Sequence, residues 1–393
     1  MGREEQIARV AQGYVDAEQF SGIEWYVEAE GMPLSIGSAG YADFDKKTAI
    51  PQGAHYRIFS MTKPIVSVLA LQLVEQGRLR LYDMVAQYDE RFAQMLVLAA
   101  DGSMTPAARP ITVEDLLTHR AGFSYEFIHG CHIAQYYREA EISGDGLCTL
   151  DEMMGRLAEL PLAYQPGSAW RYSVSIDVLA QVIERATGER LDVLMREMIF
   201  APLGMDDTGF YIPEEKQALL MPMYGQGLLS GLPPLAASPQ VLEKLDVENM
   251  NPLYQPETFR RGGLGLYSTL QDYACFARML LNGQTPEGET LLSRKMLEML
   301  RVNRIPESLL PLSIGPNVFA GYGWGLIGRV MLDQGRASSL SSVGEFGWAG
   351  AATTYFWVDP LEEMFGVIMT QYMGATLPLS DDLRVAAYQA LPS

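Results

Sequence analysis

Residues 60–77 read SMTKPIVSVLALQLVEQG. Ile65, Val66, Leu69 and Leu73 recur at the three- and four-residue spacing of a helix, and Gly77 ends the pattern. Pro64 falls in the first turn, where a missing N–H is tolerated. The stretch therefore predicts a mostly buried helix running from Ser60 to Gly77. Ser60 and Lys63, three positions apart, share one face at its start.

That spacing carries chemistry. A serine hydroxyl is a poor nucleophile until another group accepts its proton, and a lysine on the same face reaches it if both point into a cleft. The free N–H groups of a helix start stabilise negative charge on an attacked carbonyl. To act as a base the lysine must be neutral, which requires desolvation or a neighbouring positive charge. Alone, SxxK is weak: an N-capping serine followed by a solvent-facing lysine produces the same letters. Its company strengthens it. QPGSAWRYSVSIDVLAQVIERATG, residues 165–188, sets Tyr172 just before an apolar helix, on a loop able to present a phenol for proton transfer. A packing role for Tyr172 is the plainer alternative, and Trp170 reads as such a packing aromatic.

Working outward, residues 1–20 pattern as an amphipathic helix, and WYVEAEGMPLSIGSAGYADF (25–44) as a strand hairpin. ITVEDLLTH (111–119), DEMMGRLAEL (151–160) and SIDVLAQVIERATG (175–188) predict helices in the middle of the chain. Residues 219–260, rich in Gly, Pro and Met, predict long loops at the cleft border. Strand patterns return in YGWGLIGRVML (322–332), ATTYFWVDP (352–360) and MFGVIMTQYM (364–373), before a last helix in DDLRVAAYQAL (381–391). Strands at both ends around a helical middle predict an α/β (α+β) chain. Residues 1–85 and 285–393 would form a discontinuous α/β domain, residues 86–284 a mostly helical insertion, with the active site between them.

The 393 residues carry a formal charge of −19, and 48% are hydrophobic, enough for a large core. An acidic surface with no basic block argues against binding nucleic acid or an anionic membrane. The N-terminus lacks the apolar core of a signal peptide, and no segment is apolar for the roughly eighteen residues of a membrane span. A cytoplasmic protein without membrane insertion is expected. Cys131, Cys148 and Cys275 lack paired spacing and predict free, buried thiols. The sequence carries no signal for oligomeric state.

Further motifs were weighed against this reading. His55 and His119 invite a Ser-His-Asp triad, but no G-x-S-x-G elbow accompanies them, and His119 reads as a structural hydrogen-bonding residue. His119, His129 and His132 cluster without an HExxH pattern, which gives no metal site. Gly262, Gly263 and Gly265 lack the lysine of a phosphate loop and predict tight turns near the cleft floor.

SMTK at Ser60–Lys63, YSV at Tyr172–Val174 and WAG at Trp348–Gly350 together resemble the family VIII carboxylesterases, the esterase branch of the class C β-lactamase and penicillin-binding-protein superfamily. LLTHRAGF around His119, PLGMDDTGF at 202–210 and the stretch from Gly262 to Gly283 extend the resemblance over most of the chain. It implies a class C β-lactamase-like fold, an antiparallel sheet flanked by helices with an inserted helical region. It also implies an acyl-enzyme on Ser60, a proton-transfer pair of Lys63 and Tyr172, and an oxyanion hole from the amides of Ser60 and Ala351. No metal or organic cofactor is expected, and the partner expected is a small-molecule ester. Substrate contacts are expected from Trp348, Gly350, Val174, Tyr125 and Phe346, with Phe127, Tyr136, Tyr137 and Trp170 as further aromatics in cleft segments. The β-lactamase pattern has Asn where this chain has Val174 and Lys where it has Trp348. Losing both polar groups disfavours β-lactam turnover and favours short- to medium-chain esters. The alternatives are a β-lactamase or D-amino peptidase-like hydrolase, an acyltransferase using the same intermediate, and a non-catalytic binding module.

Overall fold

A computed structural model describes residues 5–99, 101–128, 130–143, 148–225, 242–245, 260–375 and 377–391. Its centre is an eight-stranded antiparallel sheet. The strands are β1 (Gly22–Ala29), β2 (Met32–Asp43), β3 (Thr48–Ala49), β4 (Tyr322–Trp324), β5 (Arg329–Met331), β6 (Phe346–Ala349), β7 (Tyr355–Asp359) and β8 (Met364–Met369), in the order β4-β5-β6-β7-β8-β1-β2-β3. The two ends of the chain meet where β1 pairs with β8, Tyr26 opposite Val367. The expected sheet completed by both termini is thus present.

Strict alternation buries both faces. Ile23, Trp25 and Val27 of β1, with Tyr355, Trp357 and Ile368, turn toward one layer of helices. That layer is α1 (Glu5–Asp16) and the C-terminal helix Leu379–Ala390, which pack on each other. Phe356, Val358, Phe365 and Val367 face the other way, into a larger core continuous with the helical middle of the chain.

In that core lie α2 (Thr62–Glu75) and α3 (Ser175–Thr187), packed together, while α4 (Leu270–Asn282) lies on the sheet. Arg278 of α4 forms an ion pair with Glu28 of β1 at 2.6 Å. The spatial layers therefore cut across residues 86 and 284: α2 joins the helical layer and α4 joins the sheet. Among the described residues, no helix is long and apolar enough to cross a membrane.

Three boundaries differ from the sequence pattern. The helix expected from Ser60 begins as a 3-10 turn, Phe59–Met61, before α2 proper. YGWGLIGRVML is not one strand but β4 and β5, because the Gly325 amide closes a tight turn on the Gly328 carbonyl at 2.8 Å. A side chain on Gly325 would strike the Leu300 carbonyl and one on Gly328 the Gly347 carbonyl, so both positions need glycine. MFGVIMTQYM also breaks, giving β8 and then Tyr372–Met373, which pairs in parallel with Tyr224–Gly225. Of the expected 219–260 loops, residues 226–241 and 246–259 lie outside the described residues, as does His129.

Candidate active site

The start of α2 is held from several sides. Phe59, just before the serine, has φ +42°, an uncommon conformation for a residue with a side chain, and its buried ring packs with Met223, Ala352 and Met373. Thr62 accepts the Leu266 amide at 3.2 Å, and Tyr273 of α4 donates to the Met61 carbonyl at 2.9 Å. These bonds tie the turn carrying Ser60 to the segment 261–266 and to the sheet-side helix.

Lys63 follows in the first turn of α2, only 2% exposed. Its Nζ donates to Ser60 Oγ at 3.2 Å and to the Gly263 carbonyl at 2.6 Å. Burial drives its pKa down to about 7, with the nearby Asp177 carboxylate pulling the other way. A large share of the amine is therefore neutral at ordinary pH, which is what a proton acceptor for Ser60 requires. The sequence motif could place the lysine but not show this dehydration.

Tyr172 arrives on the loop before α3. Its hydroxyl accepts the indole N–H of Trp348 at 3.0 Å, and Ser60 and Trp348 both favour its ionised form by hydrogen bonding. Burial raises its pKa far above the ordinary phenol, against the pull of those two bonds. Tyr172 is thus a neutral phenol, able to donate a proton, while Lys63 is the group able to accept one. Lys63 lies 4.7 Å from the centroid of the Tyr172 ring and 5.2 Å from that of Tyr125.

β6 supplies the opposite wall. A side chain at Gly350 would sit 2.4 Å from the Ile58 carbonyl, so glycine lets the strand end press against the turn that carries Ser60. Ala351 packs beside Phe59 and Leu245. Among the described residues, neither the Ser60 nor the Ala351 amide has a protein acceptor.

The remaining expected contacts divide. Trp348 stands against Tyr172, and Tyr125 stacks on Phe127 at 4.7 Å behind Lys63. Val174 and Phe346 are fully buried in the core. Val174 starts α3 and turns inward with Val178. Tyr137 is buried and its oxygen accepts the Ser124 amide at 3.3 Å, while Tyr136 is exposed. His119 is wholly buried, contacts Ser173 at 3.2 Å and packs 4.8 Å from the Tyr172 ring; burial, then Lys63, push its pKa well below the usual value. His132 instead contacts the Leu98 carbonyl, and His55 the Gly53 carbonyl. Among the described residues no group of His, Cys, Asp or Glu is arranged to hold a metal.

Two participants escaped the motif reading. Gly263 grips Lys63 with its carbonyl, and Asp177 accepts the Gly263 amide at 2.9 Å. Their only signals are a Gly-Gly pair and a carboxylate interrupting the apolar run five residues after Tyr172.

A hydroxyl flanked by a dehydrated amine and a neutral phenol at a helix start has the makings of a serine acyl-enzyme site. The chain belongs to the Beta-lactamase family, whose model matches residues 7–390. It is 30% identical to Esterase EstB of Burkholderia gladioli over 383 residues, covering 92% of this chain and 89% of that one. It is 29% identical to a lovastatin esterase of Penicillium rubens, covering 82% and 80%. Among solved structures, EstCE1, described as a hydrolase with promiscuous acyltransferase activity, superposes with a TM-score of 0.81 at 25% identity over 98% of both chains.

Proposed function

We propose that the protein is a serine carboxylesterase of the family VIII type, cleaving short- to medium-chain carboxylic esters through an acyl-enzyme on Ser60. The observation that carries this is the dehydrated Lys63 amine, with its pKa near 7, on the Ser60 hydroxyl at 3.2 Å. Neutral Lys63 takes the Ser60 proton as Oγ attacks the ester carbonyl. The developing oxyanion faces the amides of Ser60 and Ala351. As the tetrahedral intermediate collapses, the C–O bond to the alcohol breaks and Tyr172 protonates the leaving alkoxide, recovering its proton from the Lys63 ammonium. Water then repeats the sequence on the acyl-enzyme, with Ser60 as the leaving group.

Esters suit this site better than β-lactams. Trp348 stands where the β-lactamase pattern has a lysine, and a substrate carboxylate would lose its hydration there without a matched partner. Likeness to EstCE1 and to the two esterases supports the ester reading, and the EstCE1 description also supports transfer of the acyl group to an added alcohol.

The test is kinetic and covalent. With p-nitrophenyl butyrate, kcat/KM should exceed that for benzylpenicillin by at least about a hundredfold, or about 2.7 kcal/mol. Intact mass should show an acyl adduct that disappears in Ser60→Ala, with activity falling by about four orders of magnitude or more. Near-wild-type turnover by Ser60→Ala would remove the serine assignment, and penicillin turnover matching the ester would remove the substrate assignment.

A further inference from the structure

Asp177 is 1% exposed, in the first turn of α3, where the helix dipole favours an anion. One carboxylate oxygen accepts the Gly263 amide at 2.9 Å; among the described residues the other has no hydrogen-bond partner, and neither does the buried Tyr125 hydroxyl. Both unpartnered oxygens converge on Gly263: a Cβ there would lie 2.4 Å from Asp177 Oδ2 and 2.9 Å from the Tyr125 oxygen. A Cβ on Gly262 would lie 2.3 Å from the Ile176 carbonyl. The Gly-Gly pair therefore lets α3 press its first turn against the segment whose next carbonyl holds Lys63.

We propose that Asp177 is a positioning residue of this site: by holding the Gly263 backbone it fixes the carbonyl that grips Lys63, and its carboxylate balances the charge Lys63 acquires with the nucleophile's proton. This rests on the reading of Lys63 as the proton acceptor. One residue does both jobs, the Gly263 N–H tied to Asp177 and the Gly263 C=O, on the next peptide unit, tied to Lys63, so moving the carboxylate shifts the backbone that anchors the amine. In the chemical step the Ser60 O–H bond breaks, its proton forms the third N–H of the Lys63 ammonium, and Asp177 keeps its charge throughout.

Every charged or titratable group facing the pair is consistent with that role. From α2 comes Lys63 itself; from the loop before α3, the neutral phenol of Tyr172; from the loops at 119 and 125, His119, held neutral, and Tyr125, held as a phenol by burial. Asp177 and Glu126 add to the effect of burial at Tyr125, and Asp177 raises the pKa of Glu126. Burial raises the pKa of Asp177, against Lys63, the Gly263 amide and Arg261, each of which favours its ionised form. Asp177 is the carboxylate that raises the affinity of Lys63 for a proton.

Asp177→Asn separates charge from anchoring, since the amide oxygen still accepts the Gly263 N–H. Removing the charge weakens proton binding at Lys63, so the acid limb of kcat/KM should move to lower pH by about one unit. Asp177→Leu, which loses the anchor too, should lower kcat at every pH with KM little changed. The chain has six lysines, which makes a direct titration practical: NMR of ε-13C-lysine-labelled protein, with the Lys63 signal assigned by its loss in Lys63→Arg. In that spectrum Asp177→Asn should shift the Lys63 midpoint in the same direction, whether or not the ester chosen is turned over. An unmoved Lys63 midpoint in folded Asp177→Asn overturns the proposal. A shifted midpoint without ester turnover by the unmutated protein would instead leave the proposal standing and remove the esterase reading.

Discussion

Lys63 and Arg384 are buried cations on opposite faces of one sheet, and the molecule treats them in opposite ways. Arg384 of the C-terminal helix is 1% exposed, yet its guanidinium donates to the Tyr322 and Tyr355 hydroxyls at 3.1 Å each and to Asp381 at 3.0 Å. Glu345 lies 3.6 Å from both Arg384 and Arg329 and accepts the Ser341 hydroxyl at 2.9 Å. Burial works against the charge on Arg384, but Glu345, Tyr322 and Asp381 outweigh it and its pKa rises. Lys63 has one carbonyl, one serine hydroxyl and two aromatic faces, with no carboxylate in direct contact, and there burial wins. A buried cation with enough acceptors is a permanent charge that locks the β6 end of the sheet to the C-terminal helix. One with too few is a charge that comes and goes, and that is what proton transfer needs.

The sharpest test of that contrast pairs two substitutions of similar shape. Lys63→Met should lower kcat/KM by about two to four orders of magnitude, the span of general-base contributions. Its unfolding free energy should change by about 1 kcal/mol or less, because a dehydrated amine serves function rather than stability. Arg384→Met should do the reverse. Glu345 would lose one of its two cations in a dry site, at about 3–5 kcal/mol of stability, while kcat/KM per folded molecule stays near wild type at low temperature. Thermal melts and active-site-titrated kinetics on both variants decide it. Equal melting temperatures for the two would break the comparison.

A smaller effect sharpens it. Lys63 must be unprotonated to accept the Ser60 proton, and its pKa is lowered to about 7, so kcat/KM should rise as pH rises through about 7. Below that point it should fall about tenfold per unit. The limb belongs to a coupled set, so its midpoint reports Lys63 together with Asp177. A profile flat from pH 5 to 9 would mean that the amine is not the acceptor.

Periodicity made much of this legible: the N-terminal helix, the β1–β2 hairpin, the buried run after Ser60 and the sheet closed by both termini follow from spacing and burial alone. Spacing also placed Ser60 beside Lys63. It placed Gly263 in a turn near the cleft floor but missed Asp177 and the bond between them, because they are 86 residues apart and meet only when α3 packs against the Gly-Gly pair. It put Val174 and Phe346 among the substrate contacts because each belongs to or adjoins a motif. Phe346 lies one pleat below Trp348 in the core, and Val174 turns inward at the start of α3. The break of YGWGLIGRVML into two strands was hidden for a similar reason: what Gly325 and Gly328 avoid are carbonyls of Leu300 and Gly347, distant in the chain.

The smallest expected effect concerns a side-chain bond joining the two walls of the site, from the Trp348 indole to the Tyr172 oxygen at 3.0 Å. An indole N–H only donates, so it occupies a lone pair of the phenol oxygen and leaves the phenol's own proton free to point toward Ser60 and the leaving group. Trp348→Phe keeps an aromatic ring in the cluster with Trp324 and Phe319 and deletes only that bond. A single neutral hydrogen bond contributes about 0.5–1.5 kcal/mol, so kcat should fall about two- to tenfold with KM nearly constant. The leaving group supplies the discriminating readout. p-Nitrophenolate departs without a proton and should hardly register the loss, whereas an ethyl ester needs the Tyr172 proton and should show it in full. Tyr172→Phe should follow the same order with larger losses. If Trp348→Phe slows both esters equally, the indole shapes the pocket rather than aiming the phenol, and the polar link between the walls has no part in proton delivery.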